Sequence, residues 1–159
     1  ALLVEKGDEI MLVTSQGQSI RFKESDIREM GRAAGGVTGM KIASKDYLVG
    51  VDVVKKEFAK DATLLVMSAN GLGKKTNLKE YKVQKRGGSG IKTAKITPKT
   101  GELIVAKILT TEEELIAMSK KGQVIRTALT GVPSLGRQTQ GVSIMKLRAG
   151  DGVASITCM

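Results

Sequence analysis

The chain has 159 residues, 41% hydrophobic but only 3% aromatic and without Trp, so its core must consist of aliphatic and Met side chains. Twenty-six Lys and Arg against 16 Asp and Glu give a net charge of +10, which indicates an anionic partner: nucleic acid, a membrane surface or an acidic protein. With no His, one Cys and no apolar run of about 18 residues, the sequence excludes an internal disulfide, a cysteine zinc site and a membrane-spanning helix.

Short apolar runs predict β-strands from the start of the chain. Residues 10–13 form the first strand and end at a turn signal, Ser15-Gln16-Gly17. A second strand follows this turn, and residues 37–42 and 47–54 predict a third and a fourth strand. Between them, residues 23–32 are the best helical candidate, although a loop with one turn fits them equally well.

The same order of strands returns twice. The apolar runs 64–67 and 115–118 end at Asn70-Gly71 and Lys121-Gly122, pairs that permit the positive φ angles of tight hairpins. Each is followed by further strand patterns, and the last of these are the strands predicted at 103–109 and 153–158.

Three copies of one unit explain this recurrence. Gly17, Gly71 and Gly122 lie 54 and 51 residues apart, and residues 9–42, 63–96 and 114–147 align without a gap. Residues related by these two offsets are called equivalent.

Four short strands per unit predict propeller-like blades. We place the blades at about residues 1–60, 61–110 and 111–159, within a single partial domain. Three blades are few for a propeller, so we predict an all-β open arc that belongs to a larger wheel. A sandwich of unrelated antiparallel strands is the alternative, but it does not explain the ungapped repeat.

Positive charge concentrates in the middle unit. Residues 61–110 hold 10 basic and 3 acidic side chains, a net +7. Equivalent cations also recur in all three units, and equivalent positions on successive blades lie along one rim of an arc, where cations can neutralise phosphates without reading bases. These cations are Arg32, Arg86 and Arg137, and Arg21, Lys75 and Arg126. Alternatively, each Arg pairs with an acid of its own blade, as Glu29 would with Arg32.

The heptad Gln84-Lys85-Arg86-Gly87-Gly88-Ser89-Gly90 is the most informative segment. Its glycines permit a tight turn and a close approach of the backbone to a ligand. Adjacent Lys and Arg side chains would then meet an anion such as phosphate.

No catalytic pattern accompanies this charge. Residues 71–76 are faintly similar to a phosphate-binding loop, but Ser68 replaces the first glycine and Lys75 replaces the hydroxyl residue after the lysine. We expect no active site, no cofactor and no metal in this chain.

The heptad resembles the "gyrase A box" of the C-terminal domain of the bacterial DNA gyrase A subunit. Further segments on either side of the heptad also resemble this family, including residues 20–22, 28–32, 92–96 and 136–142. The resemblance is to the last three of about six blades in a β-pinwheel, whose neighbouring blades exchange strands.

This resemblance implies binding, bending and wrapping of double-stranded DNA, in support of ATP-dependent negative supercoiling by a type IIA topoisomerase. Strand breakage and ATP hydrolysis would belong to other domains, the partners would be the rest of the gyrase A chain and the gyrase B subunit in an A2B2 complex, and the location would be the cytoplasm at the nucleoid. The DNA-binding residues predicted from charge and resemblance are Gln84, Lys85, Arg86, Gly87, Gly88, Gly90, Arg32, Arg137, Arg21, Lys75, Arg126, Lys92 and Lys95.

Two other functions fit the sequence. One is the corresponding domain of topoisomerase IV, in which the box is usually degraded or missing. The other is a protein-interaction propeller whose basic face docks an acidic partner.

Overall fold

The computed structural model describes residues 1–159, which form eleven strands and four short 3₁₀ turns. The strands are β1 (Glu9–Thr14), β2 (Gln18–Lys23), β3 (Leu48–Val54), β4 (Thr63–Ser68), β5 (Leu72–Asn77), β6 (Ile91–Lys92), β7 (Leu103–Leu109), β8 (Glu114–Ser119), β9 (Val124–Ala128), β10 (Val142–Ser143) and β11 (Val153–Cys158). The 3₁₀ turns are Glu24–Asp26, Lys56–Phe58, Leu78–Glu80 and Leu129–Gly131. The all-β prediction is confirmed, and no helix has the length and apolar character needed to cross a membrane.

The strands form three antiparallel sheets, which are the blades. Their strand orders are β3-β1-β2-β6 in the first blade, β10-β5-β4-β7 in the second and β11-β8-β9 in the third. In each blade a hairpin joins the first two strands of the unit, and its turn glycine has the predicted positive φ: 77° at Gly17, 82° at Gly71 and 81° at Gly122. The third blade has three strands rather than the predicted four.

The fourth strand of a complete blade comes from the following unit. β6 pairs with β2, placing Ile91 opposite Ser19, and β10 pairs with β5 in the equivalent register, placing Val142 opposite Gly73. The third strand of a unit therefore lies in the sheet of the preceding blade. The strand exchange implied by the resemblance is confirmed. Residues 37–42 form no strand and pair with none of the three sheets.

Residues 23–32 form a loop with one turn, the alternative to the helix. Glu24–Asp26 is a single 3₁₀ turn, and none of its three residues is buried. Without an apolar face to pack against the sheet, tertiary contacts cannot stabilise a longer helix here.

The blades pack side by side into an arc. β3 contacts β7, and β7 contacts β11, so these strands line the inner side of the arc. The approach is close, because a Cβ atom added at Gly50 would lie 2.7 Å from the Cβ of Ala106. A cluster of buried aliphatic residues, including Val13 and Val54 of the first blade and Leu64 of the second, fills the space between these blades. β6 and β10 are the terminal strands at the opposite, outer edge.

Candidate nucleic-acid interface

The glycine-rich heptad, residues 84–90, ties the second unit to the first. The backbone N–H of Gly87 donates to the Gly39 carbonyl at 2.6 Å, and the Gly88 carbonyl accepts from the Lys41 N–H at 2.9 Å. We call the contact between the first and second blades the first joint, and that between the second and third blades the second joint. At the first joint, the heptad and residues 38–41 form a structure that we call the first clasp. At the second joint, the equivalent residues 135–141 and 92–95 form the second clasp.

The other glycine and glutamine positions of the heptad also serve this joint. Gln84 is half-buried, and its backbone N–H donates to the Arg21 carbonyl at 2.7 Å. Gly90 has φ +75°, and a Cβ atom added there would lie 2.3 Å from the Ser19 carbonyl oxygen. Gly87 has φ +79°. The heptad therefore needs glycine because its backbone turns sharply against the sheet of the preceding blade.

The heptad arginine reaches back across the same joint. Arg86 donates from Nε to the Asp26 carbonyl at 2.8 Å and from Nη1 to the Thr38 carbonyl at 2.9 Å. Arg137 repeats the second contact at the second joint, where its Nη1 donates to the Lys92 carbonyl at 2.8 Å. Both side chains are half-exposed and donate hydrogen bonds to backbone carbonyls of the preceding unit. We therefore infer that they stabilise the two clasps.

The cations at the second repeated position point into the joints. Arg21 is only 7% exposed, and its guanidinium binds the Glu9 carboxylate at 2.5 Å and the Leu78 carbonyl at 2.9 Å. Lys75 makes the equivalent contact at the second joint, from Nζ to the Leu129 carbonyl at 2.7 Å. Each cation thus secures the 3₁₀ turn of the following blade, and we infer a structural role for this position.

Arg32 and Arg126 lie at the two ends of the arc. Arg32 is exposed and makes no hydrogen bond or ion pair, so the pair with Glu29 that the sequence offered is not formed. Arg126 is exposed and binds Glu114 of its own blade through Nε at 2.8 Å. Pairing with an acid of the same blade therefore applies to Arg126 and to Arg21.

The predicted lysines, by contrast, face solvent at the outer edge. Lys85 of the heptad, Lys92 of β6 and Lys95 are exposed, and none of them forms an ion pair. The backbone of Lys95 is part of the second clasp, because its N–H donates to the Thr139 carbonyl at 3.1 Å. The structure therefore presents free ammonium groups at or beside both clasps.

Lys74 has a role that sequence reasoning missed. It is 1% exposed, and its Nζ donates to the carbonyls of Gly136 and Arg137 at 2.5 and 2.6 Å. Burial, helped by the charge of Arg137 and opposed by that of Glu80, lowers the pKa of Lys74 to about 8. The repeat could have indicated this role. The residues equivalent to Lys74 are apolar, Ile20 and Ile125, so the pattern places Lys74 at a buried position.

We expect the depressed pKa of Lys74 to make the folded chain more stable at high pH. Between about pH 8 and 10.5 the unfolded chain binds the lysine proton and the folded chain does not, so the free energy of unfolding rises with pH by on the order of 2–3 kcal/mol. This stability is complete above the unfolded pKa and is lost as the pH falls through about 8. Urea unfolding of the wild type and Lys74→Met over this range isolates the effect, since the Tyr and Cys residues titrate in both. Parallel pH curves would contradict it.

Comparison with known proteins agrees with this architecture. The family model described as "DNA gyrase C-terminal domain, beta-propeller" matches residues 8–55, 62–109 and 113–158. The chain belongs to this family. The DNA gyrase A subunit of Mycolicibacterium smegmatis is 43% identical over 158 residues, which are 98% of this chain but 18% of that protein. The chain thus spans less than a fifth of the length of such relatives.

Two solved structures are similar to the whole arc. One, described as the structure of the DNA gyrase A C-terminal domain, has a TM-score of 0.86 and 29% identity, and the match covers 98% of this chain and 52% of that one. The C-terminal domain of DNA topoisomerase IV has a TM-score of 0.89 at 21% identity, covering 99% of this chain and 48% of that one. The second likeness shows the fold alone. The recognition of the gyrase A C-terminal domain and of its propeller-type fold is confirmed.

Proposed function

We propose that this chain binds double-stranded DNA without sequence selectivity, along the outer edge of its arc. The observation that carries the proposal is the set of exposed lysines at the two clasps, Lys85, Lys92 and Lys95, which have no acidic partner. The middle unit that supplies them has a net charge of +7, from 10 basic and 3 acidic residues at 61–110.

Lysines in this arrangement suit phosphates rather than bases. An ammonium group is a point charge on a flexible stem, so it follows a phosphate backbone without demanding a fixed geometry. Each phosphate that it neutralises releases condensed counterions, and this release is independent of base sequence. A curved row of such contacts also offsets the elastic cost of bending the duplex. Binding and bending therefore follow from one surface.

The clasps give this surface its shape. Arg86, Arg137 and the glycines of the heptad hold neighbouring blades at a fixed angle, and the lysines extend from the same segments. Within the heptad we assign phosphate contact chiefly to Lys85, with Arg86 positioning the turn. Arg32 remains an exposed cation at one end of the path. Arg21 and Lys75 hold neighbouring blades together, and Arg126 pairs with Glu114 of its own blade.

For the parent protein we propose a DNA gyrase A subunit that wraps DNA for ATP-dependent negative supercoiling, acting with the gyrase B subunit in an A2B2 complex at the bacterial nucleoid. The relative at 43% identity is a gyrase A subunit, whereas the topoisomerase IV likeness is one of fold. DNA breakage and ATP hydrolysis would belong to other parts of that parent, and this region would use no cofactor.

Fluorescence anisotropy of a random-sequence duplex, titrated with the chain over a salt series, tests DNA binding. The variant is Lys85→Ala/Lys92→Ala, and the matched control is Lys6→Ala/Lys60→Ala, whose lysines are also exposed but precede the first strands of their blades. We expect the variant to reduce the salt slope of log K by about two and to weaken binding roughly 10- to 100-fold at low salt. The control should change little.

Two other outcomes would contradict the proposal. If both pairs weaken binding equally, the positive charge acts as a diffuse field and the outer-edge path is wrong. If the wild type does not bind at low salt, the DNA-binding proposal fails for this chain, and an acidic protein becomes the better candidate partner for the lysines.

A further inference from the structure

Lys74 of β5 is a buried amine that no carboxylate pairs with. Its side chain is 1% exposed, and it forms no ion pair. The equivalent positions of the first and third units hold Ile20 and Ile125, so the fold accepts an apolar side chain here. An ammonium group at such a position is costly, because burial removes its hydration. Packing of the blade alone therefore does not account for a lysine inside the second joint.

The hydrogen bonds of Lys74 suit a neutral amine as well as an ammonium group. Nζ donates to the carbonyls of Gly136 and Arg137 at 2.5 and 2.6 Å, and these are its only hydrogen bonds. An ammonium group has three N–H donors, whereas a neutral amine has two, which is the number used here. The second clasp therefore keeps both bonds when the proton leaves. Lys74 is a charge that the fold can gain or lose without opening.

Two charged side chains face the Lys74 amine. Burial lowers its pKa to about 8, against the charge of Glu80 in the 3₁₀ turn and with that of Arg137 in the second clasp. The strands on either side of β5, which are β4 and β10, contain no charged residue. Tyr81, next to Glu80 in the chain, is also buried, and burial raises the pKa of its hydroxyl. Arg137 is thus the cation that opposes protonation of Lys74.

The Lys74 amine lies against the main chain of the second clasp, over which we place the path of DNA. It binds the carbonyl of Arg137, whose guanidinium in turn donates to the Lys92 carbonyl at 2.8 Å. Lys92 and Lys95 are exposed residues of the same clasp. A phosphate held by these cations would offset the charge of Arg137 and would itself attract an ammonium group. Both effects favour the protonated form of Lys74.

We propose that DNA bound over the second clasp draws a proton onto Lys74. The inference rests on the proposed DNA binding and adds a dependence on pH. By linkage, a ligand that favours the protonated form also binds that form more tightly. The affinity for DNA is therefore highest where Lys74 is already charged, and it falls as the pH rises through about 8. At an effective dielectric constant of about 20, one phosphate about 10 Å from an ammonium group changes a binding constant about tenfold.

Isothermal titration calorimetry of a random-sequence duplex into the chain, in buffers of different ionisation enthalpy, measures this uptake of protons. At about pH 8.5 the wild type should take up on the order of half a proton per chain. At about pH 6.5 the uptake should nearly vanish, because Lys74 is charged before DNA binds. The affinity should fall roughly 3- to 10-fold between about pH 7 and pH 9.

Two variants remove the titrating amine in different ways. Lys74→Gln keeps an N–H₂ group for the clasp carbonyls, and Lys74→Met resembles the apolar residues at the equivalent positions. Both should bind DNA without the additional proton, and their affinities should depend less on pH. Lys75→Met is the matched control, because it removes the neighbouring lysine, whose Nζ donates to the Leu129 carbonyl at the same joint. It should keep the uptake of the wild type. Circular dichroism on heating shows that each variant is folded.

Three results would overturn the inference alone. Equal uptake in the wild type and in folded Lys74→Gln would mean that the proton binds elsewhere. Loss of the uptake in Lys75→Met would assign it to the integrity of the joint rather than to Lys74. An affinity that rises with pH would contradict the sign. Failure of the proposed function is distinct: a wild type that binds no duplex at low salt and about pH 7 would overturn DNA binding itself, and proton uptake with it.

Discussion

Replacing Arg21 with Met should destabilise the chain by about 3–5 kcal/mol, the usual cost of breaking a buried ion pair from one side. The change leaves the Glu9 carboxylate without its partner and removes the donor to two carbonyls of the second blade, those of Leu78 and Tyr81 at 2.9 and 3.3 Å. Met fills a similar volume, so the loss measures the polar contacts rather than a cavity. Urea unfolding followed by circular dichroism gives the free energy.

Arg126→Met is the matched control, because Arg126 is equivalent to Arg21 and pairs with Glu114, the equivalent of Glu9. Its side chain is exposed and binds no neighbouring blade, so we expect little change when the chain is measured in dilute solution. Equal losses from the two variants would mean that the ion pair within the blade, and not the contact across the joint, carries the stability.

The repeat made most of the fold predictable from the sequence. Apolar runs before Gly17, Gly71 and Gly122 indicated the hairpins, because a strand pattern and a positive-φ turn are both local features. Strand exchange is not local. Residues 91–92 have the same pattern whether they complete their own sheet or the preceding one, and the resemblance to a pinwheel, rather than the pattern, predicted the second arrangement.

The position of the candidate interface was predictable from the sequence, but the separate roles of its residues were not. The sequence located the heptad and the repeated cations, yet it treated Arg86, Arg21 and Lys85 alike. Their roles differ because the joints supply carbonyl acceptors to the first two, while Lys85 faces solvent. An arginine that binds a backbone carbonyl across a joint is separated from that partner by 45 to 60 residues, and no spacing within one unit signals it.

The glycines of the heptad also have a different role from the one that the sequence suggested. The sequence suggested that Gly90 lets the backbone approach a ligand, but what it approaches is the Ser19 carbonyl of the preceding blade. Loss of DNA binding after a change at Gly90 would therefore report a displaced clasp, whereas loss after a change at Lys85 would report a missing phosphate contact. The first should lower stability and the second should not.

Gly90→Ala should be among the most damaging single methyl additions in this chain. Ala must adopt φ +75°, and its Cβ would lie 2.3 Å from the Ser19 oxygen and 2.8 Å from the Ser19 carbonyl carbon, both of them backbone atoms that cannot rotate away. The strained φ and the separation of the heptad from β2 together should lower the free energy of unfolding by at least about 3 kcal/mol. Urea unfolding measures the loss.

Gly150→Ala separates the two causes. Gly150 has a similar φ of +68°, but the nearest atom to an added Cβ is the Lys121 Nζ, at the end of a long side chain, and its distance of 3.5 Å is an ordinary contact. This variant should therefore lose only the cost of the left-handed backbone, about 1–2 kcal/mol. If Gly90→Ala lowers the free energy of unfolding no more than Gly150→Ala does, the heptad can move away from β2 without loss of stability. The heptad then does not hold the blades at a fixed angle. A larger loss at Gly90 alone means that the heptad is a structural element of the first joint, whatever it contributes to DNA binding.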